Sequence, residues 1–495
     1  MNEPDWIVVG AGSAGCMVAC QLARATGTVR NRVTVIEPAG EPAPLINRER
    51  PARWLHLLGS SEDWNLTTEK SHRLANRSLR WPRGRGLGGS SRINAMIWFP
   101  PTQMDLEMLV AASGGQWTLP ELQADFREVT ELTRPEHPAW LSESSHRFLK
   151  ATAQWSDASS MAYARLNRDG RRWNPADLLT AGRQNGSIQI RRGMVDRMIW
   201  KDDRIIGVET LDKHGVNSIH ARKGVILCAG SIATPAILMR SGIGPRNQLN
   251  KLGINLRYDT DLVGNNLRDH LIMPVIFQVK SGRFPTRSST RNIAQWQTMG
   301  SGPLASNLAE CGGLFQNNTI QIHVTPTHYL THPRQVEHAF MTIGVSSTQP
   351  QSTGQIQLTA SDARAPLRID ARYLEEPDDL NTTIKGIELA RRLVKDTSLS
   401  QWIVSESIPG KRRDTSRDME KAIARYSQTL YHPACTCPLG SESDSIITPN
   451  FSIRGAEQGW VADASILPRL THGNPNATVM LLAYSAAKRI INASL

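Results

Sequence analysis

The chain opens on an unbroken apolar run, Trp6-Ile7-Val8-Val9, entered through a single Asp5. A run without polar alternation suits a parallel strand buried on both faces. Gly10, Gly12 and Gly15 follow, and residues 14–25 then repeat the small side chains Cys16, Ala19, Cys20 and Ala23 at helical spacing. Such a face lets a helix lie close against a sheet. A second apolar run, residues 33–36, ends at Glu37, so the pattern predicts a strand–turn–helix–strand unit. Residues 187–190, 197–200, 205–210 and 218–221 are short strand-like pieces separated by turn residues, which predicts an antiparallel meander, and residues 224–229 read as another buried strand. Between 272 and 430 the character changes, with strand-like pieces at 320–324 and 356–358 and a helical piece at 380–393. From residue 460 a strand, a turn and a long apolar helix return. The expected organisation is therefore discontinuous. Residues 1–271 form mainly a first unit (with 100–185 partly a lid), 272–454 a substrate-facing unit, and 455–495 a return to the first.

Each glycine of the first turn has a physical task. Gly10 permits the tight turn, Gly12 lets backbone approach a pyrophosphate, and Gly15 allows close helix–strand contact. The helix N-terminus, opening at Ala14 just after Ser13, offers free N–H groups and partial positive charge to phosphate. Glu37, at the end of the second strand, can accept ribose hydroxyls and disfavours a 2′-phosphate. These residues predict a bound dinucleotide without separating FAD from NAD.

Composition narrows the partners. The net charge is +12, yet the basic residues are scattered, as at Arg80, Arg83, Arg85 and Arg92. No Lys/Arg block or nucleic-acid motif occurs, which argues against a nucleic-acid partner. The charge is compatible with peripheral association at a membrane surface. No run of about 18 apolar residues predicts a spanning helix. The six cysteines include no Cys-x-x-Cys pair, so buried thiols in a reducing compartment are expected, with no metal site. The expected location is cytoplasmic, with contact at the inner membrane as a variant.

Further stretches carry a family resemblance. Trp81-Pro82-Arg83-Gly84-Arg85-Gly86-Leu87-Gly88-Gly89-Ser90-Ser91-Arg92-Ile93-Asn94 resembles the first signature of the glucose–methanol–choline (GMC) oxidoreductases. Gly230-Ser231-Ile232-Ala233-Thr234-Pro235, continuing to Gly244-Pro245, resembles the second. Val263-Gly264-Asn265-Asn266-Leu267-Arg268-Asp269-His270, Tyr431-His432-Pro433 with Thr436-Cys437, Asp463-Ala464-Ser465 and Asn474-Pro475-Asn476 also fit. The resemblance covers nearly the whole chain and is weakest over 100–185 and 271–430. It implies an α/β fold: a Rossmann-like FAD-binding domain and a second α+β substrate domain carrying an antiparallel sheet. It also implies FAD, and oxidation of a CH–OH group with electrons passed to oxygen, a quinone or another carrier.

By the same resemblance, Gly10, Gly12, Ser13, Ala14, Gly15 and Glu37 hold the adenosine and pyrophosphate. Gly88, Gly89 and Ser90 bring backbone and hydroxyl to the pyrophosphate and flavin, and Asn94 contacts the flavin. Val195 meets the adenine through its backbone, and Asp463 bonds the ribityl–phosphate part. Arg85, Ala95, Ala229, Ala464 and Asn474 belong with these. Ile93 stands where relatives that tether the flavin have histidine or cysteine, which implies non-covalent FAD. Ala477 and Thr478 open the C-terminal helix, whose N-terminus is implied to face the flavin's pyrimidine end. A helix N-terminus stabilises negative charge there by roughly 0.3–2 kcal/mol.

Alcohol oxidation needs a proton acceptor, and a neutral imidazole suits that task. The resemblance assigns it to His432, with Asn476 as the partner that orients the substrate oxygen. A primary alcohol is the expected substrate. His472 is a minor candidate for the site, and His270 is expected to support the fold. Cys435 departs from the family's usual glycine and is bulkier. Two rival readings are a hydroxynitrile-lyase-like flavoprotein without redox change and a non-catalytic flavin-binding protein. A choline-type substrate needs a carboxylate or an aromatic cage for its trimethylammonium group; Glu310 and Trp296 are the candidates.

Overall fold

The computed structural model describes residues 3–25, 32–39, 49–155, 158–212, 215–285, 289–332, 337–441 and 445–493. The opening apolar run is the strand Trp6–Val9, buried at every position, and it lies at the centre of a parallel sheet. Across that sheet the order is Ile188–Arg192, Val33–Glu37, Trp6–Val9, Gly224–Leu227 and Gly459–Val461. The helix Ser13–Ala25 buries its small-residue face and packs against the C-terminal helix, Asn476–Asn492. Segments from the start, middle and end of the chain therefore share one apolar core.

One expectation is corrected. Residues 187–190, read as the start of the meander, instead enter the parallel sheet as its edge strand, Ile188–Arg192. The chain keeps register with Val33–Glu37 until the Gly193 N–H donates to the Glu37 carbonyl. It then turns off into the meander Met194–Lys201, Arg204–Asp212 and Gly215–His220.

The other large sheet is antiparallel. Its order is Ile403–Ile408, Leu271–Val279, Ala339–Ser347, Ile320–Thr325, Cys311–Phe315 and Ala158–Ala162, with Gln428–Thr429 also paired to Leu271–Val279. The helix Pro377–Lys395 packs on this sheet. Asp378 and Asp379 sit in its first turn and Arg392 and Lys395 in its last, each sign favourable to the helix dipole. Residues 356–358 lie outside the large sheet; Gln355–Gln357 makes a small hairpin with Arg368–Asp370. The strand Ile320–Thr325 is buried at all six positions. Ile320, Ile322 and Val324 supply one face and Gln321, His323 and Thr325 the other, so a polar face is held inside the molecule. No helix among the described residues is long and apolar enough to cross a membrane.

Candidate active site

Two glycine-rich turns meet backbone to backbone. Gly10 has φ +96°, and a Cβ there would lie 2.5 Å from the Cys228 carbonyl oxygen. A Cβ on Gly15 would lie 1.9 Å from the Gly10 carbonyl oxygen, so both positions exclude a side chain. Gly12 differs, because its Cβ would meet only Gly89 Cα, at 4.0 Å. That leaves open space beside the N-terminus of Ser13–Ala25. The Gly88 N–H donates to the Ala11 carbonyl at 2.7 Å, joining the second turn to the first. Glu37 ties the same two turns through its carboxylate, which accepts from the Ala11 N–H at 3.2 Å and the Gly86 N–H at 3.0 Å. Burial pushes Glu37 above its ordinary value, against the opposing pull of those bonds.

The remaining residues of the cofactor set fall as follows. Ser13 and Ser91 share a hydroxyl bond of 2.7 Å, and the Ser90 hydroxyl accepts from the Gly84 N–H. Asn94 Oδ1 accepts from the Met96 N–H and from Arg172, while the Ala95 carbonyl accepts from Asn307. Arg85 stacks on Trp64 at 5.0 Å. Val195 is buried at a bulge in the meander, and Ala229 immediately precedes the helix Gly230–Arg240. The carboxylate of Asp463 is saturated: Oδ1 accepts twice from Ser465, and Oδ2 accepts from the Gly230 N–H and the Thr234 hydroxyl. It caps protein segments and has little capacity left for a ligand. The Ala464 carbonyl accepts from the Cys435 N–H.

At the C-terminal helix no side chain caps the N-terminus. Asn476 Nδ2 and Thr478 Oγ1 are buried there without a hydrogen-bond partner among the described residues, and Ala477 is buried between them. Buried polar atoms are rarely left unmet, so this end of the helix calls for an external partner.

A chain of hydrogen bonds sets the chemistry of His432. His270 Nε2 lies 2.9 Å from the Thr348 carbonyl, and His270 Nδ1 lies 2.9 Å from His432 Nδ1. A carbonyl can only accept, so His270 carries its proton on Nε2. Burial holds His270 down at about 4, which keeps the ring neutral and leaves its Nδ1 an acceptor. His432 must then donate from Nδ1. Burial, followed by the neighbouring His270, His323 and Arg83, holds His432 well below the ordinary imidazole value. Its Nε2 is therefore unprotonated, and its lone pair accepts from Asn474 Nδ2 at 3.1 Å, a bond that a substrate hydroxyl entering between the two would replace. Asn474 is fixed in that orientation because its Oδ1 accepts from Gln321 at 3.3 Å. Asp269 anchors the main chain, accepting from the His432 N–H at 2.7 Å and from the hydroxyls of Thr429 and Tyr373.

The amide at His432 thus comes from Asn474 rather than Asn476, for which no bond to His432 is found among the described residues. His472 is engaged elsewhere; its Nδ1 lies 2.7 Å from Asp105 Oδ1. His270, expected to serve the fold, contacts His432 directly. Gln321 and His323 were not singled out by sequence; their only signal was the polar alternation within an apolar strand.

Cys435 is fully buried with φ +73°. A side chain costs roughly 1–2 kcal/mol in that left-handed region, which gives the family's glycine a physical reason. Cys435→Gly is expected to be more stable than Cys435→Ala by about 1 kcal/mol, the reverse of the usual order. Chemical denaturation of the two variants measures the difference.

Acid should weaken the fold. Burial lowers His270 to about 4, His323 to about 3 and His332 to about 4, from an ordinary 6.5. Below 6.5 the unfolded chain binds protons that the folded chain refuses, so stability rises with pH. The unfolding free energy is expected to fall as pH drops from 6.5 through 4, by up to about 1.4 kcal/mol per pH unit for each histidine, as denaturant titration at each pH would show. A flat profile over that range would contradict the neutral assignment.

Two family models, both described as GMC oxidoreductase, match residues 4–272 and 350–483. The chain belongs to the GMC oxidoreductases. As a member it is an FAD-dependent oxidoreductase of α/β fold. Among curated GMC relatives, an alcohol dehydrogenase [acceptor] of Pseudomonas putida is 29% identical, over 98% of this chain and 95% of that one. An oxygen-dependent choline dehydrogenase of Pectobacterium atrosepticum is also 29% identical, over 99% and 94%. Among solved structures, pyridoxine 4-oxidase from Mesorbium loti superposes with a TM-score of 0.87 at 26% identity, covering 98% of this chain and 99% of that one. Formate oxidase, at 22% identity, shares the fold with a TM-score of 0.88 over 100% and 99% of the two chains. The residues present suit FAD: the space beside Gly12 lies at one helix N-terminus, and the unmet Asn476 and Thr478 lie at another.

Proposed function

We propose that this GMC oxidoreductase oxidises a primary alcohol to the aldehyde, with His432 as proton acceptor and Asn474 as the anchor of the substrate oxygen. The observation behind the reading is the bond chain from Thr348 through His270, which leaves His432 Nε2 unprotonated beside an amide donor. FAD, held between the two glycine turns and the start of the last helix, would supply the acceptor for the hydride that leaves the carbinol carbon. His432 takes the hydroxyl proton on Nε2, and Asn474 Nδ2 donates to the oxygen as its charge grows. An amide does not titrate in this range, so His432 alone of the pair accepts the proton.

The same reading gives FAD its contacts. Glu37 meets the ribose, the space beside Gly12 receives the pyrophosphate, and Asn476 and Thr478 meet the flavin's pyrimidine end. Asp463 keeps those segments in place through its four protein donors. With Ile93 unable to form a covalent link, FAD is held non-covalently. All six cysteines are buried free thiols. The names of the alcohol and choline dehydrogenase relatives support the reaction class.

The test is anaerobic. Purified protein is expected to be yellow, to lose that colour with a primary alcohol, and to release its flavin on acid denaturation. Failure of a broad alcohol panel to bleach the flavin sinks the proposal. Aldehyde and cyanide release from a hydroxynitrile, without bleaching, would point to a lyase instead.

A further inference from the structure

His323 stands beside this site, on the same strand as Gln321. The strand Ile320–Thr325 turns Gln321 and His323 to one face, and both are buried. Gln321 reaches Asn474, and His323 is near enough to His432 to influence its protonation. Yet neither ring nitrogen of His323 has a hydrogen-bond partner among the described residues, and Gln321 Oε1 has none either. The Tyr163 ring lies 5.4 Å from that of His323, but its hydroxyl donates to the Ile322 carbonyl. Directly across the ladder His323 faces Gly312 on one side and Gly344 on the other, so its paired neighbours bring no side chain to it. Burial holds the ring at about 3. A neutral imidazole carries one donor and one acceptor, and leaving either unmet in the interior is costly.

We propose that His323, with Gln321, binds a second polar but uncharged group of the substrate (a hydroxyl, a carbonyl or a ring nitrogen) close to the carbinol carbon. The inference rests on the alcohol-oxidising reading of His432 and Asn474. It also disfavours a quaternary ammonium at this site, because Glu310, Asp105 and Asp269 are buried among donors of the protein and the face of Trp296 is covered by guanidinium groups. Glu310 accepts from Ser142, Ser145 and Ser306. Asp105 holds His472, and Asp269 holds His432, Thr429 and Tyr373. Trp296 carries Arg171 at 4.6 Å and Arg50 at 5.1 Å over its ring. None of these carboxylates or this indole is left for a trimethylammonium head.

The experiment compares matched alcohols by anaerobic flavin reduction. Benzyl alcohol is set against 3-hydroxybenzyl alcohol and 3-(hydroxymethyl)pyridine, and 3,3-dimethylbutan-1-ol against its charged isostere choline. At least one polar ring alcohol is expected to show an apparent affinity about tenfold or more above benzyl alcohol. Choline should do no better than 3,3-dimethylbutan-1-ol. His323→Phe should bring the polar-to-apolar ratio towards one, and His323→Gln should retain part of it. Equal affinities within the ring set, or preference for choline, overturn the inference while leaving His432 as the base. Failure of every alcohol to bleach the flavin overturns the parent reading along with it. A folded His323→Phe that keeps the wild-type ratio also overturns it, and because equal wild-type affinities refute it without any variant, a His323 variant that fails to fold does not rescue the proposal.

Discussion

Replacing His432 with alanine lowers the anaerobic rate of flavin reduction by about 10²–10⁴ while the protein stays yellow. In transition-state terms that is roughly 3–5 kcal/mol. The loss is confined to the chemical step because, among the described residues, the imidazole's hydrogen bonds go to His270 and Asn474 and to none of the proposed ribose and pyrophosphate cradle. The pH profile supplies an independent check. A base works only when deprotonated, and burial together with His270, His323 and Arg83 lowers His432 below its ordinary range. Wild-type kcat/KM should therefore hold its plateau to pH values below about 6.5, the ordinary histidine value. If the alanine variant reduces its flavin at the wild-type rate, His432 is not the proton acceptor.

Replacing Asp269 with leucine is the most damaging single change expected for the fold. The buried carboxylate receives the His432 N–H and two hydroxyls, and Arg83 lies near enough to act on it electrostatically. Leucine leaves three buried donors unmet and removes one of the two carboxylates, Asp269 and Asp63, that act on Arg83, a loss of at least about 3 kcal/mol. Against a typical total of about 5–15 kcal/mol, that is enough to depress the denaturation midpoint severely. Asp269→Asn keeps an acceptor for the His432 N–H, and the two hydroxyls can turn to meet its amide. It should lose much less, as denaturant titration of both variants would reveal. Equal losses would mean that the pocket around Asp269 depends on its charge rather than on its bonds.

Local pattern carried the first half of this molecule. A strand, a glycine turn and a small-faced helix are consecutive, so Gly10, Gly12, Gly15 and Glu37 were legible together. Even there the edge strand Ile188–Arg192 escaped, because an apolar strand of that length reads the same in a meander or beside a parallel neighbour. The proton acceptor was approachable only through resemblance, and its environment was not. His270 and His432 are 162 residues apart in sequence yet share a hydrogen bond, and no local rule joins them. Asn474 and Asn476 are separated by one proline, and the direction of the backbone entering the last helix decides which amide meets His432. His323 was hidden for another reason. Its chemistry lies in what surrounds it, two glycines and a preoccupied tyrosine, rather than in its own spacing.

The discontinuous parallel sheet has a consequence in time. Its central strand leaves the ribosome first, but the strand Gly459–Val461 and the helix Asn476–Asn492 emerge last. Until then one edge of Gly224–Leu227 and one side of Ser13–Ala25 have no partner. The nascent chain carries an open strand edge and an apolar helix flank through nearly all of its translation, which invites shielding by chaperones. Cofactor capture must wait until the strand Gly459–Val461 and the helix Asn476–Asn492 have emerged. A premature stop before residue 459 would leave the turn at Gly10, Gly12 and Gly15 intact in sequence and unable to keep its FAD.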